Sequence, residues 1–145
     1  MRTILLIIIG VSSLMAGNFS RNANGIVTDS RTNLEWQDDY SDNSNSIKGA
    51  IWQGAIDYCE NLNLDGNSDW RLPNLNELTS LVDDTIYSPP IDSLFQNTNT
   101  SRYWSSTTSA SYNDSAWIVS YFSIGVQEIE DKANNHYVRC VRAGQ

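Results

Sequence analysis

Apolar and polar positions divide this chain into a leader and a single patterned domain. Ile4 to Val11 is apolar apart from Gly10, Leu14 to Ala16 extend the run, and Asn18 and Ser20 begin polar sequence. One leading charge, Arg2, followed by a short apolar core that ends in small residues, is the pattern of a secretory signal peptide. The core is shorter than the roughly 20 residues a membrane span needs. The pattern predicts a signal peptide over residues 1–17, cut after Ala16 or Gly17, then a lead over 18–24 and a domain over 25–145. An uncleaved N-terminal anchor is the alternative.

Within the domain, Ile26-Val27-Thr28 and Leu34-Glu35-Trp36 flank the turn residues Asp29 to Asn33, which predicts a hairpin over 25–37. Ile51, Ala55, Tyr58, Cys59 and Leu62 recur at helical spacing, so a helix is expected over 47–63 with Ser46 as its N-cap. Asp65 to Asp69 reads as a turn. A second helix is expected after Pro73, with Asn74 and Glu77 spaced as a capping box and Leu75, Leu78, Leu81 and Val82 as its buried stripe. Pro89 and Pro90 stop helical structure, and Asp92 to Ser101 reads as irregular loop. The period then changes. Strands are expected at Tyr103–Ser106, Ala116–Phe122, Val126–Ile129 and Tyr137–Arg142, the last alternating Val138 and Cys140 against Arg139 and Val141. A hairpin, two helices and a strand-rich second half make an α+β domain.

Charge and cysteines narrow the function. The net charge is −8, which repels nucleic acid and anionic lipid at long range; no nucleic-acid partner is expected, and no membrane span once the leader is removed. Cys59 and Cys140 are the two cysteines. Outside the cytoplasm such a pair reads as a disulfide, and a loop that long contributes about 4 kcal/mol in the chain-entropy picture. A metal site is the competing reading, but the cysteines have no CxxC spacing and only His136 stands near Cys140.

Four blocks then occur in order: Trp70-Arg71-Leu72-Pro73-Asn74-Leu75-Asn76-Glu77-Leu78, Tyr103-Trp104-Ser105-Ser106-Thr107, Ala116-Trp117, and Tyr137-Val138-Arg139-Cys140-Val141-Arg142. With the early Gly25-Ile26-Val27-Thr28-Asp29, they resemble the Lcl C-terminal domain family, named for a collagen-like bacterial adhesin, over residues 25 to 143. The first and last blocks are also similar to formylglycine-generating-enzyme-type domains. The resemblance implies a C-type-lectin-like fold, with a twisted antiparallel sheet and one long-range disulfide tying the first helix (Cys59) to the last strand (Cys140). It implies binding of sulfated glycans at cell surfaces, a ligand class that favours basic protein surface, whereas this chain is acidic.

Catalysis finds little support in the residues. The disulfide reading consumes both thiols, no Ser stands in a GxSxG elbow, and His136 is the lone histidine. Paired acids such as Asp83-Asp84 read as solvated. Calcium is the candidate cofactor, through Asp65, Asn67 and Asp69 at alternate positions of a turn; a plain Asx turn is the competing reading. Trp70, Trp104 and Trp117 are assigned to the core. Arg71 is expected to pair with Glu77 or with strand carbonyls, and Arg139 and Arg142 to be structural in the same way. Tyr112, Asn113 and Asp114 lie in a Ser/Tyr/Asn/Asp loop of recognition-like composition, and with Tyr103 they are the candidate ligand-binding residues. The expected ligand face is the loops between Asp92 and Asp131. The reading is therefore an exported, non-catalytic module that binds a glycan or surface protein. The alternatives are a self-associating envelope component, a homo-oligomer, and an enzyme with an unrecognised site.

Overall fold

A computed structural model describes residues 18–122 and 124–144; the expected signal peptide over 1–17 lies outside the described residues. The order of elements is β1 (Phe19–Arg21), β2 (Ile26–Asp29), β3 (Leu34–Gln37), a 3-10 turn at Ser41–Asn43, β4 (Gly49–Ala50), α1 (Trp52–Asn61), α2 (Leu75–Thr79), β5 (Arg102–Thr108), β6 (Ser115–Ser120), β7 (Val126–Asp131), β8 (His136–Tyr137) and β9 (Val141–Ala143). This is a mixed α+β architecture with few helices and one disulfide, Cys59–Cys140, with Cα atoms 5.5 Å apart. Among the described residues no helix is long and apolar enough to cross a membrane.

The strands form two sheets rather than the one expected. The first runs β1-β2-β3-β9 and the second β4-β8-β5-β6-β7. The pairs are antiparallel except β5 with β8, which is parallel. The hairpin of β2 and β3 forms as the pattern predicts, and Gly25 enters it at φ +77°, where an added Cβ would meet Asp39 Cβ at 2.6 Å. The lead over 18–24 is in part a third strand, because Phe19–Arg21 pairs with Val27–Asp29.

The expected last strand is split. Tyr137 pairs with Gly49 in the second sheet, while Val141 pairs with Trp36 in the first. Val138, Arg139, Cys140, Val141 and Arg142 are all buried, so the expected in-and-out alternation is absent. The segment passes between the two sheets and is covered on both sides. One core gathers around the disulfide with Trp70, Leu72, Trp104 and Ile118. The other gathers Trp36, Leu78, Phe95, Tyr103 and Tyr121.

The first helix is shorter than its pattern. Gly49 and Ala50 are claimed by pairing with β8, so α1 starts at Trp52 with Ile51, not Ser46, at its N-cap. Ala55, Cys59 and Leu62 point inward as expected, but Ile51 is left exposed. In α2 the capping box forms in both directions: the Asn74 side chain accepts from the Glu77 N–H at 2.8 Å and Glu77 accepts from the Asn74 N–H at 2.9 Å. Reciprocal capping satisfies two donors that a helix start otherwise leaves open. Leu78 and Leu81 are buried beneath it.

Candidate functional site

The Asp92–Ser101 segment has neither helix nor strand, yet it is fixed from below by buried charge. Asp38 follows β3 with its side chain fully buried. Its carboxylate accepts from the Gln96 N–H at 2.8 Å and the Asn97 N–H at 3.2 Å, and pairs with Arg21. Its backbone carbonyl accepts from the Asn97 side chain at 2.6 Å. Arg139, also fully buried, donates to the Asn97 carbonyl at 2.6 Å and to Thr98 Oγ1 at 2.9 Å, and lies 3.4 Å from Asp38. Its guanidinium sits 4.6 Å over the Phe95 ring. Hydrogen bonds offset the desolvation of a buried ion pair; the loop backbone supplies part of that here, while Arg139 Nε and Nη1 have no hydrogen-bond partner among the described residues.

Aromatic hydroxyls complete the support. Burial pushes the hydroxyls of Tyr40, Tyr103 and Tyr121 upward, so they stay neutral. Tyr40 donates to the Val138 carbonyl at 3.0 Å and Tyr121 to the Leu78 carbonyl at 3.2 Å, while Tyr103 accepts from the Asn99 N–H at 2.9 Å. Tyr103, expected at the ligand face, is instead fully buried between Tyr121 and Tyr137. It holds the loop and does not line its surface.

Above this support lies a cleft of about 450 Å³. Asn45, Ser46 and Ile47 form one wall, Gln96 to Asn99 the other, and Tyr137 also lines it. Among the described residues no charged side chain lines it. The side chains of Asn45, Ser46, Gln96, Asn99 and Tyr137 make no hydrogen bond to other described residues, while the backbone beneath Gln96 to Asn99 is tied down as above. Fixed backbone carrying uncommitted donors and acceptors is the arrangement of a preorganised polar binding site. The opening beside α1, about 480 Å³, differs: there Tyr58 donates to Asp42 at 3.2 Å, Lys48 lies over the Tyr58 ring, and the Asp57 carboxylate accepts from Gln53. Charged Asp42, Lys48 and Asp57 line it, unlike the first cleft.

The other sequence candidates fall in separate places. Tyr112, Asn113 and Asp114 stand together and exposed in the turn between β5 and β6. That turn is held by Ser109, whose hydroxyl accepts from the N–H groups of Ser111 and Tyr112 at 3.3 and 3.2 Å, and by Lys132, which donates to the Asn113 carbonyl at 2.8 Å. Asp65, Asn67 and Asp69 are engaged by different partners. Asp65 accepts from Asn22 and Asn24, Asn67 donates to the Asp65 carbonyl, and the Asp69 carboxylate accepts from Arg142 at 2.7 Å, which holds it below the usual carboxylate range. Among the described residues no group of three or more His, Cys, Asp or Glu is placed to hold a metal ion.

Arg71 pairs in two-pronged fashion with Glu77, at 2.7 Å on both oxygens. Partial burial works to raise the Glu77 carboxyl, but Arg71 and the Asn74 N–H outweigh it and hold it low. Trp70 and Trp104 are buried as expected, whereas Trp117 is only half-buried.

Sequence reasoning included Asp92–Ser101 in the ligand face but did not single out Asp38, Gln96 or Asn99. The available signal was faint: an acidic residue directly after the Leu34–Gln37 strand, and an uncharged Gln-Asn-Thr-Asn run at 96–99 in an otherwise acidic chain.

No curated protein matches this chain. The family model described as the Lcl C-terminal domain matches residues 25–142, which takes in the second sheet, most of the first without β1, both helices, the disulfide and the cleft. Matched over well more than half of its length, the chain belongs to the Lcl C-terminal domain family.

Proposed function

We propose that this protein is an exported, non-catalytic adhesion module that seats an uncharged, hydroxyl-rich ligand, a neutral glycan, in the cleft between Asn45–Ile47 and Gln96–Asn99. One observation carries the reading: Gln96 and Asn99, without side-chain partners among the described residues, stand on a loop held by buried Asp38 and Arg139, and face Asn45, Ser46 and Tyr137, whose side chains are equally uncommitted. Amides and hydroxyls donate and accept in the directions that sugar hydroxyls require, and a tyrosine ring supplies apolar contact for a sugar face. A charge-free lining in a chain of net charge −8 fits a neutral ligand better than a sulfated one.

Export is supported by the leader pattern and by the disulfide, a bond typical of oxidising compartments. The disulfide leaves neither Cys59 nor Cys140 free for thiol chemistry. The tie from α1 to the segment just before β9 fits a C-type-lectin-like arrangement.

A glycan array probed with the full chain, followed by calorimetry on the best neutral hit, tests the proposal. Replacing Gln96 and Asn99 together with Ala should weaken binding at least tenfold, about 1.4 kcal/mol, and leave the melting temperature unchanged. Binding that survives this change but is lost in Tyr112→Ala would place the ligand on the 109–114 turn instead.

A further inference from the structure

The second sheet ends in an open edge. β7 pairs with β6 on one side and, among the described residues, has no strand on the other. The Lys132 N–H donates to the Asp114 carbonyl at 2.9 Å, one step beyond the Asp131–Ser115 pair. Hydrogen-bonded and non-bonded pairs alternate along an antiparallel ladder. Val126, Glu128 and Glu130 therefore direct their backbone groups at β6, and Gln127 and Ile129 direct theirs outward.

Native edges are commonly protected by charged side chains, lysine above all, by proline or by a bulge. β7 has neither lysine nor proline and its six-residue register with β6 is unbroken; its charges, Glu128, Glu130 and Asp131, are all acidic, so they oppose another acidic edge and leave a basic strand free to add. Phe122, Ile124, Val126 and Ile129 are all exposed along it and the turn before it.

We propose that β7 is a docking edge for an extended segment of another protein, one that alternates apolar and basic residues and adds as a sixth strand. Outward N–H and C=O groups select extended backbone. The two faces of the edge select the side chains. Ile129 shares a face with half-buried Trp117, so a neighbouring strand is apolar there. Glu128 and Glu130 share the opposite face, with one arginine, Arg102, between them at 2.9 and 3.7 Å, so a neighbouring strand is basic there. A second copy of this chain is a poor occupant. Each copy carries a net charge of −8, and its own β7 brings glutamates rather than cations.

The test uses the full chain and a short fluorescent peptide of alternating lysine and valine, read by anisotropy. Saturable binding is expected, with protection of the Gln127 and Ile129 amides from hydrogen exchange. A glutamate–valine peptide should bind at least tenfold more weakly. Ile129→Pro removes an outward N–H and leaves the bonds to β6, so it should abolish binding while the fold persists. Should it fail to fold, Ile129→Lys tests the same edge and should weaken binding at least tenfold. Three results would overturn the proposal: no peptide binding, amide protection elsewhere than on β7, or a dimer through β7 in sedimentation with no peptide bound. Gln96→Ala with Asn99→Ala should leave peptide binding unchanged, which separates this edge from the cleft.

Discussion

Two polar loops of similar composition, Gln96–Asn99 and Ser109–Asp114, are built in opposite ways. The first has no regular structure of its own, and its order comes from residues far away in sequence: Asp38 reaches Gln96 across 58 positions and Arg139 reaches Asn97 across 42. The second is mostly self-contained, with Ser109 bonding to Ser111, Tyr112 and Ser115, and Lys132 as its support from a neighbouring strand end. A loop that satisfies its own backbone can stand alone on the surface. A loop that cannot must draw on buried partners, and where it does, its side chains are released to face outward. Backbone polar groups need partners wherever water is excluded; which partners they find decides what the loop can present.

The comparison breaks most sharply at Asp38. Asp38→Ala leaves Arg139 buried without its carboxylate and strands two loop N–H groups, so unfolding free energy should fall by about 3–5 kcal/mol, measured by chemical denaturation. Amide exchange should quicken at Gln96 and Asn97 before it changes at Ser111 and Tyr112. Equal loosening of both loops would mean that the Asp92–Ser101 segment does not depend specifically on the buried pair.

A smaller effect comes from His136, which neighbours Tyr137 of the cleft and packs 4.8 Å from Trp104. Burial lowers its pKa below the usual 6.5, although Glu130 at 3.5 Å and Glu128 work to raise it, with Arg102 opposing them. The folded state therefore favours the neutral ring. Its contribution to stability is complete above pH 6.5 and is lost as pH falls through the lower folded value. Melting temperature should drop over that interval, and His136→Asn should remove that part of the drop. A stability profile identical in both proteins would show that His136 does not titrate differently on folding. The smallest effect belongs to Tyr112. Exposed and self-contained, its replacement by Ala should shift unfolding by no more than roughly 0.5 kcal/mol, and a larger loss would reveal a packing role that its exposure does not show.

Much of the local structure was legible in the order of residues. The Asn74–Glu77 capping box, the β2–β3 hairpin and the inward face of α1 at Ala55 and Cys59 follow from contacts within a few positions, which spacing encodes directly. The disulfide was legible because only two cysteines exist, and the family because its blocks are contiguous. What stayed hidden depends on non-local pairing. Gly49 and Ala50 left the expected helix because β8 claimed them. The stretch from Val138 to Arg142 lost its alternation because two sheets cover it. Tyr103 moved from the expected ligand face to the core because the adjoining loop folds over it. The sequence by itself determined the α2 cap, the β2–β3 turn, the cysteine pair and the family. Only the tertiary structure decided which polar loop is held from beneath, because that choice belongs to buried charges brought together across the fold and leaves no periodic trace along the chain.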